Sequence, residues 1–397
     1  MASSPIGDSL RAALFLCACF GSLATAEDVT PPFRVTEGLF DLANQETLGL
    51  KTIPGEHLEV YRATEESGFR FTHHPGLAVF QGQLYCSWSS GQAHEDRPGQ
   101  RVVYARSADG QNWSSPQVLA KPPGGNDRCI GAGFHVMNDT LVAGYTTAYN
   151  YPTHNLFNDD NALFARISRD GLTWSEPVKL ASGFFIEGPL PLPGGRCIRG
   201  GEQAGARWKA GEVRMRMLYC DDPLGMSGWK EAAISPAESL PKGLKVFDYT
   251  EPSPFVRPDG VIVSPFRNSS GYLYASTSRD NGVSWSAPRI TNFPDATSRH
   301  ATGTLPDGTT FLINNPGNGK ASSPRNLLTI ALSRDGKTFD RAWLIRGEPT
   351  TMRFKGKDKR DGWQYPNARV WKDSLYVAYS VNKEDLVVTR IALQDLK

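Results

Sequence analysis

Four stretches of the chain alternate apolar and polar residues and then break into a turn of the same composition. RVVYAR leads into SADGQNW at Ser107, NALFARI into SRDGLTW at Ser168, GYLYAST into SRDNGVSW at Ser278, and NLLTIAL into SRDGKTF at Ser333. Alternation with period two is the mark of a half-buried strand. In each turn an aspartate can fold back onto the following amides and a glycine supplies positive φ, so the closing aromatic tucks under the hairpin. A worn copy, YCDDPLGMSGW, fills the double gap between the second and third. The aromatics Trp113, Trp174, Trp229, Trp285 and Phe339 then step by 61, 55, 56 and 54 residues. A second series of turns interleaves with the first: QGQLYCSW, NDTLVAGY, GGRCIRGG, DGVIVSPF, DGTTFLIN and DSLYVAYS. Two interleaved near-constant periods mean about four short strands per repeat, the unit of a propeller blade. The expectation is an all-β fold: a six-bladed β-propeller of four-stranded antiparallel blades. The last blade lacks its outer turn, so the N-terminal segment near His57–Ala63 is expected to supply the missing strand and close the ring.

Composition fits many short strands joined by tight turns, with 39 Gly and 28 Pro in 397 residues. A formal net charge of +2 with interspersed signs argues against a nucleic-acid stripe or a basic membrane patch. Arg11 precedes the apolar run AALFLCACFGSLATA, and Ala24-Thr25-Ala26 supplies small residues for cleavage. Residues 1–26 therefore read as an export signal and 27–397 as one domain, secreted or periplasmic. No later segment reaches a membrane-spanning length. Cys86, Cys129, Cys197 and Cys220 remain after cleavage, without zinc-ligand spacing; disulfides and buried thiols both stay open.

The Asp-containing turns resemble the Asp boxes of the sialidase family, which mark the outer hairpins of that propeller. The resemblance runs from about Phe69 to the end and gives Asp109, Asp170, Asp280 and Asp335 a structural role. Three further segments resemble functional stretches of the family: TEPSPFVRPDGVIVSPFRNSSG, INNPGNGKASSPRNLLTIALSRDG and GWQYPNARVWKDSLYVAYS. The resemblance implies Tyr365 as nucleophile, Glu251 as its base, and Arg267 and Arg325 as two of three arginines that grip a sialic acid carboxylate. It also implies an acid/base aspartate in the first blade, where Asp96 is the choice and Glu95 the runner-up. The chemistry is coherent in itself. The anomeric carbon of sialic acid bears a carboxylate, so a neutral tyrosine polarised by a glutamate avoids like-charge repulsion. Guanidinium forks match a carboxylate bidentately.

The departure lies in FRFTHHP. Aligned on Pro75, the family's first-blade motif puts His73 where an arginine completes the clamp, with Asp96 23 residues later. Arg70 stands three positions early, an offset that points to the opposite face of a strand. His135 and Glu187 lie on presumptive inner segments and are further candidates for the substrate pocket, whereas His74 is expected to pack at the blade interface. No local histidine spacing resembles a metal motif, so neither metal nor cofactor is expected. The expected function is a retaining glycoside hydrolase that removes a terminal sialic acid or related 2-keto sugar acid, acting as a monomer on a glycan. Two other readings stand beside it. One is a propeller lyase acting on uronate polymers, with His73 or His135 paired with Tyr365; the other is a non-catalytic carbohydrate-binding propeller.

Overall fold

The computed structural model describes residue 1 and residues 30–153, 158, 160–203, 215–237, 240, 247, 250–320 and 323–397. The expected export signal lies almost wholly outside them. Pro31–Lys397 form one compact unit, built of six four-stranded antiparallel sheets. Blade one runs outward from the axis through Phe71–Phe80, Gln83–Gly91, Arg101–Ser107 and Gln117–Ala120. The innermost strands of blades two to six are Arg128–Met137, Leu190–Pro191, Phe255–Val256, Ala301–Thr304 and Trp363–Trp371. Blade six takes its outermost strand from the other end of the chain. Glu56–Tyr61 pair antiparallel with Asp385–Ala392 and close the ring as the sequence suggests.

The Asp boxes sit on the outer hairpins and work through local hydrogen bonds. The Gln111 and Asn112 amides both donate to Asp109 Oδ1 at 2.8 Å, and those of Leu172 and Thr173 do the same to Asp170 Oδ1. The worn copy keeps the device, since the Leu224 and Met226 amides donate to the two oxygens of Asp222 at 3.0 Å. The box glycine also joins blades. Gly171, at φ +72°, lies so close to the preceding blade that an added Cβ would stand 2.0 Å from the Tyr85 hydroxyl; at Gly110 it would stand 2.6 Å from that of Tyr376. Only glycine meets both the backbone and the space requirement there. The box aromatics Trp285 and Phe339 are buried beneath their hairpins, in the apolar layers between sheets.

All inner strands run in one sense along the axis. Their first residues therefore gather at one mouth and their last at the other, separated by the strand rise of about 3.3 Å per residue.

Candidate active site

Tyr365 and Glu251 meet at the mouth where the inner strands begin. Tyr365 lies in the irregular register between Gln364 and Asn367, and such a bulge re-aims a side chain off its sheet. Its φ is +59°, and Glu251, just before the inner strand of blade four, has φ +39°. His74, Asp96 and Thr297 at the same mouth are also left-handed, at +53°, +50° and +54°. Non-glycine residues held this way cost about 1–3 kcal/mol each and cluster where a site over-determines them.

The Tyr365 hydroxyl donates to Glu251 Oε1 at 2.9 Å. Arg267 Nε sits 2.8 Å from Glu251 Oε2, so one carboxylate bridges the phenol and a guanidinium. Glu202 Oε1 accepts the Glu251 backbone N–H at 3.2 Å and fixes that turn. The Thr297 carbonyl accepts from Arg267 Nη1 at 2.8 Å and from Arg325 Nη2 at 2.6 Å, placing the two guanidiniums side by side. Gln364 Oε1 holds Arg325 Nη1 at 3.0 Å. Both guanidinium carbons lie within 5.6 Å of the Tyr365 ring centre.

Burial pushes the Tyr365 phenol well above its ordinary value, with Arg267 and Arg325 pulling the other way. Tyr365 is therefore neutral at any ordinary pH. Arg325 is lowered to about 10 by burial and still stays charged. Asp96 is raised to about 7, first by burial and then by the neighbouring Glu95, while Gln100 Nε2 donates to its Oδ1 at 3.1 Å. A carboxyl that keeps its proton near neutrality suits a general acid.

His73 lies against Tyr365 with ring centres 3.9 Å apart, and His74 meets the same ring edge-on at 5.2 Å. Burial and the surrounding cations hold both imidazoles well below their ordinary value, hence neutral. His74 thus belongs to the pocket wall, where the sequence suggested interface packing. Its left-handed backbone at a register shift between His73 and Gly76 turns it inward. His73 Nε2 stands 3.6 Å from Glu95 Oε1, and Lys383 Nζ donates to Glu95 Oε2. His73, His74 and Glu95 can bring one ligand atom each within 4.8 Å of one another. With Lys383 on Glu95, and Arg299, Arg325 and Arg267 acting on the imidazoles, a dication would add charge to a basic pocket.

Three candidates fall outside this cluster. Arg70 pairs with Glu65 at 2.7 Å at the surface, the opposite-face outcome that its strand offset suggests. His135 and Glu187 line a second cavity of about 510 Å³ with Arg369 and Val79, which His135 meets near the end of its inner strand and Glu187 from just before Leu190–Pro191. His135 Nε2 is fixed 2.7 Å from the Pro223 carbonyl, and Glu187 faces Arg299 at 3.6 Å. Both lie on inner segments, but inner segments reach both mouths, and sequence position alone did not say which. Lys383, Thr297, Gln364 and Glu202 were not anticipated. Each sits in an ordinary turn or strand end, and only ring closure brings them to the axis.

Residues 82–377 match the BNR repeat-like domain family. No curated protein matches the chain. Among solved structures, a sialidase superposes with a TM-score of 0.65 at 21 % identity over 91 % of this chain and 35 % of its own. A protein of unknown function from Dyadobacter fermentans gives 0.64 at 17 % identity, covering 85 % and 98 %. Trypanosoma rangeli sialidase, solved with 2,3-difluorosialic acid as a covalent intermediate, gives 0.64 at 13 % identity, covering 86 % and 60 %. The chain thus spans about a third of the first of these and three fifths of the last, and at such identities the likeness is one of fold. With three quarters of its length matched, the chain belongs to the BNR repeat-like family and carries a sialidase-type six-bladed propeller.

Proposed function

We propose that this protein is an exported retaining glycoside hydrolase that removes a terminal sialic acid or related 2-keto sugar acid. The observation that carries the reading is the Tyr365 hydroxyl on Glu251 Oε1 at 2.9 Å with Arg267 on the other carboxylate oxygen. In the proposed reaction Arg267 and Arg325 hold the sugar's carboxylate bidentately. Tyr365 attacks the anomeric carbon as Glu251 accepts the phenolic proton, and Asp96 protonates the departing glycosidic oxygen. Asp96, now ionised, then takes a proton from water as that water breaks the tyrosyl–sugar bond, and Glu251 returns its proton to the departing phenolate. Neutral Tyr365 avoids the repulsion that a carboxylate nucleophile would meet, and the charged arginines stabilise the phenolate as it forms.

The test is release of a fluorogenic aglycone from a sialoside by wild type, Tyr365→Phe and His73→Arg. Turnover lost in Tyr365→Phe supports the reading; a wild type inert on sialosides that cleaves a uronate polymer overturns it. A specific observation favours that second reading, a uronate lyase: the neutral imidazole of His73 lies 3.9 Å from the Tyr365 ring, beside two carboxylate-binding guanidiniums. Such a base and phenol suit proton abstraction next to a neutralised carboxylate. An unsaturated product seen by ultraviolet absorbance identifies it.

A further inference from the structure

Where the family resemblance implies a third arginine, this chain places two groups of different chemistry. His73 Nε2 and Glu95 Oε1 stand 3.6 Å apart, beyond hydrogen-bonding distance, and the buried His73 Nε2 has no hydrogen-bond partner. The other side of each group is engaged. His73 Nδ1 contacts Ser380 Oγ at 2.9 Å, and Glu95 Oε2 accepts from Lys383 Nζ. Lys383 also donates to the Asp358 carbonyl at 2.9 Å, so its ammonium is committed to the protein. What this seat offers a ligand is one carboxylate oxygen beside one imidazole nitrogen.

A substrate carboxylate placed here would meet the like charge of Glu95. A hydroxyl fits, because it is donor and acceptor at once. It accepts from the imidazole N–H and donates to Glu95 Oε1. A metal ion would suit the acceptors alone, and Lys383 already neutralises Glu95.

We propose that this is a hydroxyl seat: the sugar's carboxylate lies on Arg267 and Arg325, and a hydroxyl of the same sugar bridges His73 Nε2 and Glu95 Oε1. The inference rests on the arginine pair as the carboxylate seat. It favours acidic sugars with a free hydroxyl beside the acid-bearing carbon: a 2-keto sugar acid hydroxylated at C3 in the hydrolase reading, a hexuronate in the lyase reading. Sialic acid, whose neighbouring ring carbon is deoxy, leaves the seat unfilled.

The test is calorimetric titration of the full chain with D-glucuronate, with glucuronate lacking its C4 hydroxyl, and with the didehydro-deoxy analogue of N-acetylneuraminate. Glucuronate should bind on the order of tenfold more tightly than the deoxy sugar, the worth of one hydrogen bond to a charged group. Glu95→Gln, with its circular dichroism unchanged, should shrink that gap severalfold; if this variant misfolds, the wild-type pair still decides. Equal wild-type affinity for glucuronate and its deoxy form overturns the hydroxyl seat and leaves the arginine pair standing. Failure of all three acids to bind removes the arginine pair and the seat together. Stoichiometric Zn²⁺ retained by wild type on dialysis and lost in Glu95→Gln also overturns the inference, because the seat is then a cation site.

Discussion

At the rim, Asp109 and Asp170 are exposed and each accepts two backbone N–H bonds from residues two and three positions on. Inside the ring, Asp96 beside the candidate site and Asp295 behind Arg267 and Arg325 are buried among distant parts of the chain. Their acidities move in opposite directions. A side-chain bond from Asn112 or Thr173 and the backbone bonds hold the rim carboxyls below their ordinary range, whereas burial raises both axial carboxyls to about 7. The rim groups stabilise the fold as carboxylates, a contribution present above their ordinary value near 3.8 and lost as pH falls below it. The axial groups favour the protonated folded state, a contribution present below about 3.8 and lost as pH rises through about 7. One residue type is thus a structural clip where it is wet and a proton reservoir where it is dry.

The contrast breaks most visibly at Tyr365. Tyr365→Phe should lower kcat by about a thousandfold or more while the melting temperature stays within a few degrees, since it removes the proposed nucleophile and one hydrogen bond. Glu251→Gln should cost about 10²–10⁴ in kcat/KM, the usual worth of a positioned base. It should also cost about 3–5 kcal/mol in denaturant stability, because the buried charge of Arg267 loses the carboxylate that Nε faces. Asp96 sharpens the comparison through pH. As a general acid of pKa about 7, it predicts a kcat/KM that falls above neutrality, roughly tenfold per pH unit. Asp96→Asn should give a low, flat profile over the same range. At the rim the effects reverse: Gly171→Ala should destabilise by about 2 kcal/mol or more through strain at φ +72° and the collision with Tyr85. Its activity per folded molecule should be unchanged. Arg70→Ala is the smallest: kcat/KM within about twofold and stability within about 0.5–1 kcal/mol, as befits a surface pair.

The rim was legible in the sequence because its chemistry is local. Asp109 bonds residues two and three places away, so Ser-x-Asp-Gly-x-x-aromatic is written in consecutive letters and repeats. The ring closure by Glu56–Tyr61 was legible for a related reason, the arithmetic of a blade short by one strand. The axis is non-local. Tyr365 and Glu251 are 114 positions apart, and they were found through family resemblance, not through any spacing rule. Position on an inner segment did not separate His135, which lines the second cavity, from the cluster around Tyr365, nor place Glu187 between the two on Arg299. Resemblance was silent on Lys383, whose ion pair with Glu95 fixes the carboxylate beside His73. The left-handed backbones of Glu251 and Tyr365 carry no signature in residue type, since neither is a residue that favours that region, whereas His74 is of a type enriched there.

The central claim is that Tyr365 forms the bond to the sugar. It is tested most directly by rapid-quench mass spectrometry of the Tyr365 peptide during hydrolysis of a fluorogenic acidic-sugar glycoside. The account predicts a peptide heavier by one glycosyl group, formed before product release and absent in Tyr365→Phe, which should also be inert. Hydrolysis by Tyr365→Phe at a rate near wild type, with no glycosylated peptide in either protein, would contradict it.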